Sequence, residues 1–146
     1  MPNKELLLIP GPTPVTDEIK AALAAETWSH TDPRFVRVVT HSLEMTREML
    51  GCQEGEVFVI AGTGTLAMEM ALVNTVAPGE RILVLSQGFF GDRFELLAKS
   101  FGVEVDVLRS EWGQRLDVDQ VRAQLAERRY KAVTVTHVDT STGVEA

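Results

Sequence analysis

From Glu56 onward, short apolar runs alternate with stretches of helical periodicity, and this alternation narrows the possible folds more than any other feature. Val57 to Ala61 reads as a strand, Thr65 to Val76 as a helix, and Arg81 to Ser86 as a strand behind the Pro78-Gly79 turn. Asp92 to Phe101 then reads as a helix closed by Gly102, Val103 to Leu108 as a strand, Asp119 to Arg129 as a helix, and Ala132 to Val138 as a strand. Ile82-Leu83-Val84-Leu85 is apolar at every position, so it offers hydrophobic side chains to both faces of a sheet, as a strand covered by helices on both sides must. The predicted class is α/β, a mostly parallel sheet flanked by helices. A length of 146 residues, with 45% hydrophobic and 24% charged, fits an ordinary globular chain able to pack a core, and no internal repeat or low-complexity tract points to a solenoid or linker.

Residues 1–16 contain Pro2, Pro10, Pro12 and Pro14 with Gly11 among them, which removes backbone donors and restricts φ; an extended N-terminal arm is expected there. A short helix is expected from Asp17 to about Glu26, then a Trp28-Ser29-His30-Thr31 loop. Asp32 as N-cap and Pro33 at the first helical position start a second helix, whose apolar face of Phe35, Val39, Leu43 and Leu50 runs to Gly51. Residues 17–146 thus read as one partial domain. The last strand runs into Asp139-Thr140-Ser141-Thr142-Gly143 where another helix is due, and a sheet ending there keeps a bare edge, so the chain reads as the N-terminal portion of a larger domain.

Charge and cysteine content exclude several classes. A net charge of −7 argues against nucleic acid and anionic membranes as partners. The single cysteine, Cys52, offers neither an internal disulfide nor a cysteine zinc cluster; the start lacks a signal-peptide apolar stretch, and no apolar run approaches membrane-spanning length. The cytoplasm is the expected location. His30, His41 and His137 lack metal-site spacing, and no metal is expected.

Three segments at strand ends carry candidate chemistry. Gly62-Thr63-Gly64-Thr65-Leu66-Ala67 follows a strand and opens a helix, where backbone N–H groups, the helix N-terminus and two hydroxyls suit an anion such as a phosphate. The stretch also fits a dinucleotide fingerprint, but the acidic residue wanted ~20 positions later is absent, since Leu83-Val84-Leu85-Ser86 stands there. The same glycines also suit a plain strand-to-helix turn, and the motif alone leaves both readings open. Gly88-Phe89-Phe90-Gly91-Asp92-Arg93 offers aromatic rings either to a flat ligand or to the core. Thr136 to Gly143 gathers hydroxyls suited to a phenolate, carboxylate or phosphate, or simply to a turn.

Taken in order, Pro10-Gly11-Pro12-Thr13-Pro14, Ser29-His30, Ala61-Gly62-Thr63-Gly64-Thr65, Gly88 to Arg93, and Thr136-His137 through Ser141-Thr142-Gly143-Val144 resemble the class V aminotransferases of the alanine–glyoxylate and serine–pyruvate type. The resemblance covers essentially the whole chain. It implies part of the large domain of a fold type I, pyridoxal 5'-phosphate-dependent transferase, a homodimer with active sites between subunits, acting on small amino acids and 2-oxo acids. By the same resemblance Thr63, Gly64 and Thr65 match the phosphate-binding turn, and Phe90 an aromatic stacked on the pyridine ring, often Trp or Tyr in relatives. Thr140 matches a hydroxyl near the ring oxygen, while Gly11, Ser29 and His30 belong to segments lining the substrate side.

The family's Schiff-base lysine, in a Ser-x-Lys segment far downstream, has no match here, nor do its sheet aspartate and carboxylate-binding arginine. The lysines present are Lys4, Lys20, Lys99 and Lys131, and none is expected beside the phosphate turn. A transaminase needs that lysine to hold the cofactor and to move the α-proton. The expectation is an aminotransferase portion inactive by itself, whether a truncated product, a proteolytic fragment or one half of a split enzyme with a complementing C-terminal polypeptide, with a non-catalytic remnant that binds a phosphorylated ligand, or pairs with a full-length relative, as the alternative.

Overall fold

The computed structural model describes residues 7–146; Pro2 and Lys4 lie outside the described residues. The chain divides into two compact units, residues 1–61 and 62–146.

In the first unit, residues 7–16 form neither helix nor strand. Helix α1, Asp17–Leu23, stops short of Glu26, and α2 spans Pro33–Met49. The start of α2 is built locally: an Asp32 carboxylate oxygen accepts the Arg34 N–H at 2.8 Å, and Pro33 sits where its missing N–H leaves no bond unmade. Gly51, at φ 61°, supplies the left-handed residue past the C-terminus. The strand expected over Val57–Ala61 is not formed. A strand exists only as one side of a ladder, and this run has no hydrogen-bonded neighbour among the described residues. Phe58, Val59 and Ile60 stand 78%, 70% and 57% exposed.

The second unit runs α3 (Gly64–Val73), β1 (Arg81–Ser86), α4 (Phe89–Ser100), β2 (Glu104–Arg109), α5 (Val118–Glu127) and β3 (Ala132–Val135), then a small hairpin of β4 (Val138–Asp139) and β5 (Val144–Glu145). The three long strands are parallel in the order β2-β1-β3, with Val84 opposite both Val107 and Thr134. The all-apolar run takes the central place, and Ile82, Leu83 and Val84 are fully buried. Ile82 and Val84 pack with Leu72 and Val76, in α3 and just beyond it, with Ala98 of α4 and with Val103. Leu85 shares a groove with Val118 and Val121 of α5.

Several boundaries differ from expectation: α3 ends at Val73 rather than Val76, β2 is Glu104–Arg109 rather than Val103 to Leu108, α5 ends at Glu127 rather than Arg129, and two more are set by partners distant in sequence. Strand β3 ends at Val135, not Val138, because Val135 pairs with Leu85 and β1 ends one residue later. Helix α4 begins at Phe89, not Asp92, because its first N–H groups find acceptors in the distant hairpin. Strand β1 has β2 on one side and β3 on the other, so the connections diverge at its carboxyl end, where open α/β sheets receive ligands.

Candidate functional site

At the start of α3, the Thr63 side-chain oxygen accepts the Leu66 N–H at 3.2 Å, and the Thr63 carbonyl accepts that of Ala67 at 3.2 Å. The N–H groups of Gly64 and Thr65 have no acceptor among the described residues. The two glycines of the motif differ in what requires them. A Cβ on Gly62 would collide with the Leu66 side chain, so packing explains that glycine. A Cβ on Gly64 would meet nothing within 4 Å, so the fold gives no reason for glycine there.

The Thr65 hydroxyl accepts a hydrogen bond from Arg93 Nη1 at 2.7 Å, and the Arg93 guanidinium carbon lies 4.8 Å from the Phe89 ring centroid. Arg93 has no carboxylate within ion-pair distance among the described residues. Thr65, Phe89 and Arg93, with Asp92, Leu96 and Leu97, line a cavity of about 230 Å³. The rings of Phe89 and Phe90 meet edge to face with centroids 5.4 Å apart, and at 48% and 37% exposure neither is a core side chain. Gly91 lets this turn lie against the sheet, since a Cβ there would stand 2.6 Å from Ser86 Cα.

The hairpin returns to the same end of the sheet. Asp139 is fully buried. Its Oδ2 accepts the N–H groups of Phe90 at 3.0 Å and Gly91 at 3.2 Å, and its Oδ1 accepts the Ser141 N–H at 3.1 Å and hydroxyl at 2.6 Å. Burial pushes the Asp139 carboxyl pKa up, but hydrogen bonds from Ser141 and from the Gly91 and Phe90 N–H groups outweigh it, holding the value below the ordinary carboxylate range. Thr140 sits exposed in the β4–β5 turn, and its hydroxyl has no partner among the described residues. The Thr142 hydroxyl donates to the Gln87 carbonyl at 3.0 Å, fastening that turn to the end of β1.

The expected phosphate, ring and hydroxyl residues Thr63, Gly64, Thr65, Phe90 and Thr140 all belong to this unit. Gly11, Ser29 and His30 lie in the other unit, where Ser29 Oγ sits 3.0 Å from Thr31 Oγ1, and Gly11 and His30 are exposed. Lys131 precedes β3 at its amino end, 3.4 Å from Glu80, and Lys99 pairs with Glu95 at 2.6 Å near the end of α4; both are remote from the phosphate turn along their elements. Lys20 pairs with Asp17 in α1 at 3.2 Å, and Lys4 lies outside the described residues. Among the described residues no cluster of His, Cys, Asp and Glu is placed to hold a metal ion, and no helix is long and apolar enough to cross a membrane.

The sequence points to the segments that hold Arg93, Asp139 and Ser141 but assigns none of the three a part of its own. One signal was available: Gly88 precedes α4 and has no side chain to cap it, so the cap had to come from elsewhere.

An open parallel sheet with a glycine turn, two part-exposed aromatic rings and a hydroxyl-rich hairpin gathered toward its carboxyl edge defines an α/β unit. The aminotransferase class V family model matches residues 16–146, and the chain belongs to that family. It is 37% identical over 147 residues to alanine–glyoxylate aminotransferase 1 of Saccharomyces cerevisiae, covering 96% of this chain and 38% of that protein. It is 38% identical over 150 residues to a protein of Anabaena cylindrica named soluble hydrogenase 42 kDa subunit, covering 99% of this chain and 38% of that one. The crystal structure of an alanine–glyoxylate aminotransferase from Nostoc sp. superposes with a TM-score of 0.84 at 28% identity, over 99% of this chain and 39% of that one. The fold is accordingly part of the fold type I α/β domain, and the chain spans 38% of the length of these curated relatives.

Proposed function

We propose that this chain supplies the phosphate- and ring-binding part of a pyridoxal 5'-phosphate-dependent aminotransferase. The reaction assigned to the whole enzyme is transfer of an amino group from a small amino acid, such as alanine or serine, to a 2-oxo acid, such as glyoxylate or pyruvate. Relatives named for glyoxylate, with alanine, aspartate or serine as donor, support this substrate class. Class V aminotransferases depend on pyridoxal phosphate as a family, and the observation that carries the assignment is Gly64: open space where a Cβ would sit, beside two N–H groups without acceptors.

When bound, the cofactor supplies an aldehyde that takes up the amino group and a ring that spreads charge from the substrate α-carbon. The chain's own residues bind and orient it. The N–H groups of Gly64 and Thr65 would hold the phosphate at a helix N-terminus, where the partial positive charge favours an anion. Arg93 adds a full positive charge, and by donating into the Thr65 oxygen it leaves that hydroxyl's proton free to point at the phosphate. The Phe90 ring would stack on the pyridine, and the Thr140 hydroxyl would donate to the ring oxygen. Gly11, Ser29 and His30 line the substrate side of a homodimer, in which residues 17–146 belong to the cofactor-binding domain and 1–16 to its arm.

Neither lysine of the sheet unit, Lys99 or Lys131, lies at this edge, and the chain alone is expected to bind the cofactor without transaminating. That same lysine placement favours the second reading, a non-catalytic part that binds a phosphorylated ligand or pairs with a complete subunit. The test compares dissociation constants for pyridoxal phosphate and for pyridoxal, which lacks the phosphate. The phosphorylated form is expected to bind at least about tenfold tighter, and Thr65→Val to remove much of that preference, about 1–3 kcal/mol for a hydrogen bond to a charged group. Equal affinities would remove the phosphate assignment.

A further inference from the structure

Phe90 lies in the first turn of α4 and Thr140 in the β4–β5 turn, some fifty residues later, so nothing local holds the two at a fixed separation. Gly88 is the N-cap of α4 and offers no side-chain cap, and the first N–H groups of a helix need acceptors from outside it. Here all of them come from the hairpin. Ser141 Oγ accepts the Phe89 N–H at 2.9 Å, and Asp139 Oδ2 accepts those of Phe90 and Gly91. The other carboxylate oxygen accepts the Ser141 N–H and hydroxyl. Gly88 is what lets the hairpin come this close, because a Cβ there would stand 2.5 Å from Ser141 Oγ and 2.7 Å from Asp139 Cγ.

We propose that Asp139 is a positioning residue, which sets the separation between the ring-stacking Phe90 and the hydroxyl of Thr140, with Ser141 as its second arm. The inference rests on the roles given above to Phe90 and Thr140. One fully buried carboxylate grips the backbone under Phe90, and Thr140 is its covalent neighbour, so a shift of either changes the slot between them. The chemistry selects a carboxylate. Four donor groups converge on its two oxygens, and only an ionised acid offers acceptors on both sides with no proton of its own. An amide of the same shape would turn an NH2 toward N–H groups and leave donors unmatched.

Asp139 touches the cofactor's ring contacts and not its phosphate, which gives its loss a distinct signature. Asp139→Asn is expected to weaken pyridoxal phosphate and pyridoxal by the same factor, about tenfold, the usual scale for losing a hydrogen bond to a charged group. Thr65→Val, by contrast, weakens only the phosphorylated form. In a Phe90→Leu background the Asp139→Asn effect should largely vanish, since the ring it positions is gone, and Asp139→Glu, which keeps both acceptors, should restore most of the affinity. Amide hydrogen exchange followed by NMR on the apo chain supplies a readout without cofactor. The Phe89, Phe90 and Gly91 amides should be protected in the native chain and released in Asp139→Asn, while the Val84 amide stays protected and reports an intact sheet. If Asp139→Asn does not fold, Ser141→Ala, which keeps the carboxylate, should release the Phe89 amide and weaken both ligands to a smaller extent.

Unprotected first-turn amides in the native chain, or unchanged ring affinity once they are released, overturns the proposal. A native chain that binds both ligands equally overturns the phosphate assignment and leaves the ring test standing. One that binds neither overturns both.

Discussion

Gly64→Ala separates what the fold needs from what a ligand needs. The position opens α3, its φ lies outside the left-handed region, and the added methyl would meet nothing within 4 Å. Alanine there forfeits no packing and removes the extra freedom glycine has in the unfolded chain, so the apo protein should gain about 0.4–1 kcal/mol. Urea unfolding should show the midpoint raised with the slope unchanged, because the surface exposed on unfolding is nearly the same. The methyl occupies the approach to the Gly64 and Thr65 N–H groups, however, so pyridoxal phosphate should bind about tenfold more weakly, the equivalent of one charged hydrogen bond, while pyridoxal is little affected. Stability and binding should move in opposite directions. Loss of more than about 1 kcal/mol of stability would show that the space is not open, against the usual gain at a compatible glycine. A stabilised variant with undiminished cofactor affinity would show that the phosphate does not lie against this turn.

Gly91→Ala should act in the opposite sense, because its methyl would meet the Ser86 backbone at 2.6 Å and force α4 off the end of β1; a loss of about 1–3 kcal/mol is expected in urea unfolding. An unchanged midpoint would mean that α4 does not pack there. The acid limb of stability follows from carboxylates held below their ordinary range, with Asp139, Asp106 and Glu95 joined by Asp32 and Glu80. For Asp139, hydrogen bonds from Ser141, Gly91 and Phe90 outweigh burial; Asp106 is lowered by the Tyr130 hydroxyl, with help from Arg81 and Arg128; Glu95 is lowered by Lys99, with help from Arg109. The unfolded chain then binds protons more readily than the folded one, so this stabilisation is present above the ordinary carboxylate pKa and lost as pH falls through it toward the lower folded values. Urea midpoints should be flat from about pH 7 to about pH 5 and fall below about pH 4, less steeply in Asp139→Asn; a midpoint that holds or rises on acidification would contradict this.

The parts of the fold legible in the sequence were those decided by neighbours along the chain. Ile82-Leu83-Val84-Leu85 announces a central strand because burial on both faces demands apolar side chains throughout. Asp32 and Pro33 mark the start of α2 because the cap bond spans two residues. Val57–Ala61 has the composition of a strand, but pairing needs a second segment, and composition does not say where that lies. The start of α4 was misplaced because its acceptors, Asp139 and Ser141, are some fifty residues away. That Thr63-Gly64-Thr65 opens a helix was legible from its place after an apolar run, whereas the part of Arg93 was not, since its bond to Thr65 joins two helices.

A crystal structure of the 146-residue chain grown with pyridoxal phosphate tests the central claim most directly. The account predicts the phosphate against the N–H groups of Gly64 and Thr65 with the Thr65 hydroxyl and Arg93 beside it, the ring against Phe90, Thr140 at the ring oxygen, and the aldehyde carbon bonded to no lysine of the chain. A phosphate seated elsewhere, or an aldehyde carbon joined to Lys4, Lys20, Lys99 or Lys131, would contradict it.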